Sequence, residues 1–228
     1  MPRIVLLLVE SAVELVPQEI RNHPVIQAYC RRRRQDPRWV ILDSSYHHSA
    51  MKGLTNYQKR GRPDILHFTL LEALGSPLNL AGMLEVYCHT QDGAFIEVNP
   101  KVRLPRVYER FKGLLSQLYR QGTIKTEQGE ILLKMEKKSI AEAINSIRPR
   151  RVYLLTEEGR SVKRSEIEDI FKTTDRPLFM VGCYPHGDFQ EETKKLAEES
   201  LSLSERRLEA WTAVSRLLCI AEQALNIM

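Results

Sequence analysis

Apolar positions along the chain fall into short unbroken runs separated by longer, spaced stripes, the pattern of strands buried on both faces between amphipathic helices. Ile4 to Glu10 is nearly continuous and of strand length, Ala12 to Ile20 takes helical spacing, and Trp39-Val-Ile-Leu42 reads as another buried strand. Leu84 to Thr90 and Ala94 to Val98 alternate around Gln91-Asp92-Gly93. An Asp-Gly pair supplies the left-handed backbone of a tight turn, so a β-hairpin is expected over about 84–98, as an excursion from the core sheet. Pro63 to Leu74 begins strand-like at Ile65-Leu66 and becomes helical over Leu70 to Leu74, which leaves its type open.

The second half alternates more regularly. Pro100 and Pro105 flank the start of a helix running through Gly113 to about Tyr119, with Phe111, Leu114, Leu115 and Leu118 on its buried side. Ile131 to Met135, Val152 to Thr156 and Leu178 to Gly182 are strands; Ser139 to Ile147, Ser165 to Phe171 and Leu208 to Leu225 are helices. Ser139 with Glu142 three residues on forms a capping box. Strands alternating with helices in this way predict an α/β fold with parallel strands covered by helices.

With 228 residues and 43% apolar content the chain can bury a full core and fits one large domain over 1–228 or two small ones. Its 34 basic and 29 acidic side chains give a net charge of +5, which favours polyanionic partners. The excess is local. Arg31 to Arg34 form a tetrad with Arg38 close behind, a supporting electrostatic element, while Lys59-Arg60-Gly61-Arg62-Pro63-Asp64 is a compact basic turn ending in an acid. Arg103, Arg106 and Arg110 are spaced three and four apart, so a helix there would carry one cationic stripe. Stripe and turn together predict an RNA-binding face.

The longest apolar runs are far below the ~20 residues of a membrane span, and the amino terminus has no secretory signal, so a soluble, cytoplasmic protein is expected, or a nucleolar one in a eukaryotic source. Cys30, Cys88, Cys183 and Cys219 are scattered with no CxxC pair, as expected of reduced thiols. His47 and His48 are adjacent and point apart, so no metal site is expected from them; His67 and His89 lie in apolar runs and read as core. Trp211 reads as the buried side of the last helix.

Ligands of open α/β sheets gather at strand carboxyl ends. Three such ends carry glycine, proline and small polar residues: Thr156-Glu157, the loop Gly182-Cys-Tyr-Pro-His-Gly-Asp188, and Glu199 to Glu205. Gly182 and Gly187 have the gap of a phosphate loop, but Asp188-Phe189 stands where that motif needs Lys and Ser or Thr, which argues against a nucleoside triphosphate. An acid there suits ribose hydroxyls or a sulfonium; an ordinary strand-to-helix turn is equally compatible. His186 is the histidine of this loop, either a neutral donor or a loop-shaping residue. No Gly-x-Gly-x-x-Gly follows a strand, so a nicotinamide dehydrogenase is not supported.

Over nearly its whole length the chain resembles the SPOUT-class methyltransferases that act on N1 of pseudouridine in small-subunit ribosomal RNA and assist ribosome assembly, in particular the archaeal members, which lack added tails. The resemblance rests on Arg62-Pro63-Asp64, Ser76-Pro77-Leu78-Asn79, Glu97-Val-Asn-Pro100, Arg103-Leu-Pro-Arg106 with Arg110-Phe111, Gly182-Cys-Tyr-Pro-His-Gly187, and Leu201-Ser-Leu-Ser204 before Ala210-Trp211. It implies a SPOUT-type α/β knot, with a deep trefoil knot in a cofactor-binding region over about 150–228. It also implies a homodimer, with ribosomal proteins or assembly factors as further partners and no membrane. By the same resemblance Leu155, Thr156, Gly182, Gly187, Ser200, Leu201, Ser202, Leu203, Ser204 and Glu205 would hold S-adenosylmethionine. Arg62, Arg103, Arg106 and Arg110, with Arg60 of the same basic turn, would meet RNA. Arg62 and Asp64 would be the catalytic pair, Asp64 fixing Arg62 or accepting the proton itself. A non-catalytic RNA-binding assembly factor is the alternative.

Overall fold

The computed structural model describes residues 3–227. In chain order the elements are β1 (Ile4–Ser11), α1 (Pro24–Arg33), α2 (Ser44–Met51), α3 (Pro63–Gly75), α4 (Pro77–Leu80), β2 (Leu84–Thr90), β3 (Ala94–Val98), α5 (Tyr108–Gln121) and β4 (Thr123–Lys125). There follow β5 (Ile131–Lys137), α6 (Ile140–Ile147), β6 (Arg151–Ser161), α7 (Arg164–Thr173), β7 (Pro177–Gly182), α8 (Glu191–Lys194), β8 (Glu199–Ser202) and α9 (Ala210–Ala224). The strands form one sheet in the order β4-β5-β3-β2-β1-β7-β6-β8.

Every residue of β1 is buried, because β2 and β7 flank it in parallel and both its faces are covered. The two-residue period of a strand divides its side chains between two cores. Ile4, Leu6 and Leu8 join the apolar residues of α3, α5, α7 and α9; Val5, Leu7 and Val9 join those of α6 with Met180 and Phe189. A third cluster under α1 and α2 contains Val16, Ile26, Val40 and Leu42. The alternation of strand and helix over the second half and the capping box of Ser139 and Glu142 stand as expected.

Four expectations are corrected. The hairpin β2–β3 is present but extends the core sheet rather than leaving it: β2 pairs in parallel with β1, and β5 continues from β3. Residues 12–20 hold no α-helix, only a short 3-10 turn at Gln18–Ile20, because Pro17 biases Val16 away from helical backbone. There Val16 N–H donates to Val40 O at 2.8 Å and Leu42 N–H to Glu14 O at 2.9 Å, so residues 39–42 bridge to this segment instead of entering the sheet. The one segment whose type was left open is helical over Pro63–Gly75, with Pro63 at its first position, where the missing N–H is harmless. Finally, α5 begins only at Tyr108, so Arg103 and Arg106 lie on a non-helical connection and do not form a helical stripe with Arg110. Pro105 keeps Leu104 from helical backbone, and buried Val102 and Leu104 fix the connection instead.

β6 and β8 are woven. Leu155 pairs with Leu201, the register then shifts, and Arg160 pairs with Leu201 again before Ser161 meets Ser202. Leu201 thus has both ends of the 155–160 segment against it, as the SPOUT-type resemblance leads one to expect. This is the weave of the SPOUT-type α/β knot. At the crossing, a Cβ on Gly159 would sit 2.6 Å from Leu201 N and Leu201 C, so only glycine lets the two backbones pass.

Asp43 caps α2 and joins it to α5: its carboxylate accepts from Lys112 Nζ at 2.6 Å and Tyr108 OH at 2.9 Å. His47 Nδ1 accepts the Asp43 N–H at 3.0 Å while its Nε2 is buried without a partner. Burial pushes the His47 imidazole down to about 4 from an ordinary 6.5, overriding the nearby Asp43 charge.

Gly159→Ala should destabilise the fold by the upper end of the ~1–3 kcal/mol of overpacking, because the obstacle is backbone, and urea unfolding reads it. Between about pH 6.5 and pH 4 the unfolded chain protonates His47 and the folded one does not, so stability should fall with pH across that window, by at most ~3 kcal/mol from this group. Urea unfolding of the wild type and His47→Asn at each pH isolates that loss: the difference in slope between them should vanish above pH 7.

Candidate functional site

The carboxyl ends of β6, β7 and β8 open into one cleft of about 340 Å³, within the range of small-molecule sites. Leu155, Thr156, Gly182, Gly187, Leu201, Ser202, Leu203 and Ser204 all line it. Ser200 and Glu205 do not: Ser200 lies in β8 under Gly159, and Glu205 is exposed on the turn beyond. The three segments singled out by their glycine, proline and small polar residues therefore converge. Gly182 is required by close approach, since a Cβ there would fall 2.6 Å from the Tyr184 ring, and Gly187 by its left-handed φ of +91°.

Side chains invisible to motif reading complete the cleft: Ile65 from the first turn of α3, Arg206 and Arg207 from the turn before α9, and Glu209 at its start. Apolar Ile65, Leu155, Leu203 and Ala213 offer a base-sized wall. Asp188 is held ionised: burial opposes this, but the ion pair with Lys194 and the Phe189 N–H at 2.7 Å push its carboxyl below the usual range. Burial, with Glu10 and Asp188 nearby, raises the Tyr184 phenol, which stays protonated. Carboxylates at 157, 188 and 209 against arginines at 206 and 207 leave the cleft slightly acidic, which suits a cationic nucleoside better than a polyphosphate. His186 is exposed on its rim.

The basic turn abuts this cleft. Arg62 and Asp64 form a bidentate pair, Nε to Oδ1 at 2.8 Å and Nη2 to Oδ2 at 2.7 Å, which raises the guanidinium pKa further. Arg62 N–H donates to Ala12 O at 3.0 Å, Ala12 N–H to Cys183 O at 2.8 Å, and Cys183 N–H to Val9 O at 3.1 Å. Backbone bonds thus tie the turn, the end of β1 and the glycine loop into one unit. Glu209 of the cleft acts electrostatically on Arg62. Arg60 turns the other way: its side chain is committed to Glu14 at 2.7 and 2.6 Å and is largely buried.

Arg103 and Arg106 are exposed and line a second groove with Phe68, Leu80 and Trp211. Trp211 follows Ala210 of the cleft, so the two depressions meet at the start of α9. That tryptophan, expected in the core, packs at its edge, half-buried against the core and against Phe68, itself 51% exposed, at 5.6 Å between ring centroids. Arg110 is exposed on the first turn of α5 and lines neither depression. The connection bearing Arg103 and Arg106 is held to α3 by His67 Nε2 and Pro105 O at 2.7 Å.

Comparison with known proteins locates this architecture. Residues 6–222 match the family model described as EMG1/NEP1 methyltransferase. The chain is 40% identical to the ribosomal RNA small subunit methyltransferase Nep1 of Thermococcus kodakarensis, over 97% of this chain and 99% of that protein. It is also 40% identical to its namesake in Pyrococcus furiosus, over 95% of each. The crystal structure of Archaeoglobus fulgidus Nep1 bound to S-adenosylhomocysteine superposes with a TM-score of 0.88 at 37% identity, covering 99% of this chain and 100% of that one.

Proposed function

The chain belongs to the EMG1/NEP1 methyltransferase family, and we propose that it moves the methyl group of S-adenosylmethionine to N1 of a pseudouridine in small-subunit ribosomal RNA during assembly of that subunit. The observation that carries this reading is the backbone-bonded seam that sets Arg62 beside the cleft within one protomer. Bound there, S-adenosylmethionine supplies an electrophilic sulfonium methyl. The cleft fits it: glycines at 182 and 187 admit a close backbone approach, the apolar wall suits adenine, and ionised Asp188 suits ribose hydroxyls or the positive sulfur.

The remaining work belongs to positioning and charge. The target base must leave its stack, and cationic side chains help offset that cost. Arg62, pre-oriented by Asp64, compensates the anion that develops as N1 loses its proton. Both Asp64 oxygens are engaged by Arg62, which favours the orienting role over that of a base. Arg103, Arg106 and Arg110 hold the RNA backbone; Arg60, committed to Glu14, contributes by shaping the turn.

The protein acts as a homodimer in this reading. Phe68 is 51% and Leu80 79% exposed in the groove with Trp211, a surface that a second copy would cover, placing Arg103 and Arg106 at the interface rim. On the same reading it would work in the cytoplasm, or the nucleolus of a eukaryote, among ribosomal proteins and assembly factors.

Methyl transfer from labelled S-adenosylmethionine to a pseudouridine-containing small-subunit RNA tests the reading: wild-type protein should label it, and a folded protein that never does would overturn it. Asp64→Asn should keep roughly a tenth to a hundredth of the rate, with RNA bound more weakly, because an amide orients Arg62 poorly. Complete loss at unchanged RNA affinity would instead make Asp64 the base.

A further inference from the structure

Lys59 stands three residues before Arg62, mostly buried and outside the cleft lining. Its ammonium donates to the Glu10 carboxylate and to the Asp188 carbonyl, and lies 3.9 Å from the centroid of the Tyr184 ring. Both Tyr184 and Asp188 line the cleft, and Tyr184 packs where a side chain on residue 182 would be. One cation thus fixes the glycine loop from behind while its own chain runs directly into Arg60 and Arg62.

Its partner is equally constrained. Glu10, at the end of β1, is 3% exposed and has a φ of +49°, a left-handed conformation a non-glycine residue keeps only when its surroundings impose it. Its other carboxylate oxygen accepts the Gln190 N–H at 2.9 Å, and its carbonyl accepts from Gln91 Nε2 at 3.0 Å. A buried carboxylate with one cation and one amide is a demanding arrangement for mere stability, since an apolar pair would pack there without desolvating charge. It does, however, bind the loop on one side of the cleft to the turn that bears Arg62.

We propose that Lys59 is a positioning residue of the methyl-transfer site, holding Tyr184 and Asp188 in the shape that receives the cofactor and passing occupancy of the cleft to the arginine turn, so that cofactor and RNA bind cooperatively. This rests on the reading of the cleft and of Arg62 given above. A nucleoside against Tyr184 and Asp188 bears on the two groups that Lys59 touches, and so narrows the residual motion of a turn already bonded to the loop; RNA on Arg62 then loses less freedom on binding. By linkage, RNA must strengthen cofactor binding by the same factor.

The test uses the full chain, S-adenosylhomocysteine titrated by calorimetry, and a small-subunit RNA fragment titrated by fluorescence anisotropy with and without that nucleoside. Wild-type protein should bind RNA about tenfold more tightly when the cleft is filled, the scale of one charge-assisted hydrogen bond. Lys59→Met should bind S-adenosylhomocysteine about tenfold more weakly and lose the coupling, with KM for S-adenosylmethionine rising more than kcat falls; Lys59→Arg should recover part of both. Because Lys59→Met leaves Glu10 buried without a counter-charge, the double variant Glu10→Gln/Lys59→Met, which keeps an acceptor for Gln190, reads the same quantities if the single variant fails to fold. Unchanged affinity and unchanged coupling in a folded variant would overturn this proposal alone. Wild-type protein that binds neither ligand would overturn the functional reading and this one with it.

Discussion

Everything else in this molecule depends on how the carboxyl end of β1 is bonded. The strand leaves the centre of the sheet and within four residues exchanges backbone hydrogen bonds with the glycine loop and with the arginine turn, through Val9, Cys183, Ala12 and Arg62. Val9, Ala12 and Cys183 are fully buried, so a backbone group of theirs left without its partner would find no water to replace it. The bonds make a rigid seam from segments more than a hundred residues apart in sequence. The proposed function rests on this seam, because a methyl donor and the group that neutralises its acceptor must meet within ångströms.

The knot serves the same end. Pairing β8 with β6 on both sides of a register shift brings Leu201 against the cleft and commits Gly159 to a backbone crossing where a larger residue would meet Leu201. A loop stitched in this way gives a ligand lined largely by backbone a fixed shape without needing many charged side chains. Such preorganisation matters most for a reaction in which the enzyme contributes placement and electrostatics rather than covalent chemistry.

Much of this was legible in the residues. β1 and β7 read as strands because no polar residue interrupts their apolar runs, and the hairpin turn declared itself through Asp92-Gly93. A compact basic turn closed by an acid was visible over 59–64, though the pairing of Arg62 with Asp64 came from the family motifs; the strand ends that meet in the cleft stood out by their glycine, proline and small polar residues. Local rules failed where two signals competed. The spacing of Arg103, Arg106 and Arg110 fits a helix, but Pro105 forbids it, and the anchoring of Val102 and Leu104 decides the path. The same competition, with Pro17, removed the helix expected over 12–20. Arg60 looked free because its partner Glu14 is remote in sequence, and Gly159 looked ordinary because its constraint comes from Leu201. Periodicity alone also gave no sign of the weave, a relation between strands; the family motifs did.

The proposed chemistry needs few charged groups: an ionised Asp188 at the cleft, a guanidinium at position 62 held by its own carboxylate, and a cation, Lys59, bonded to the loop that bears Asp188. The most direct measurement is to incubate the protein with S-adenosylmethionine and small-subunit RNA carrying pseudouridine, and to locate the added methyl by mass spectrometry of nuclease fragments. This account requires one methyl on a pseudouridine base, at N1. A methyl on a ribose or on another base, or none despite a filled cleft, would contradict it.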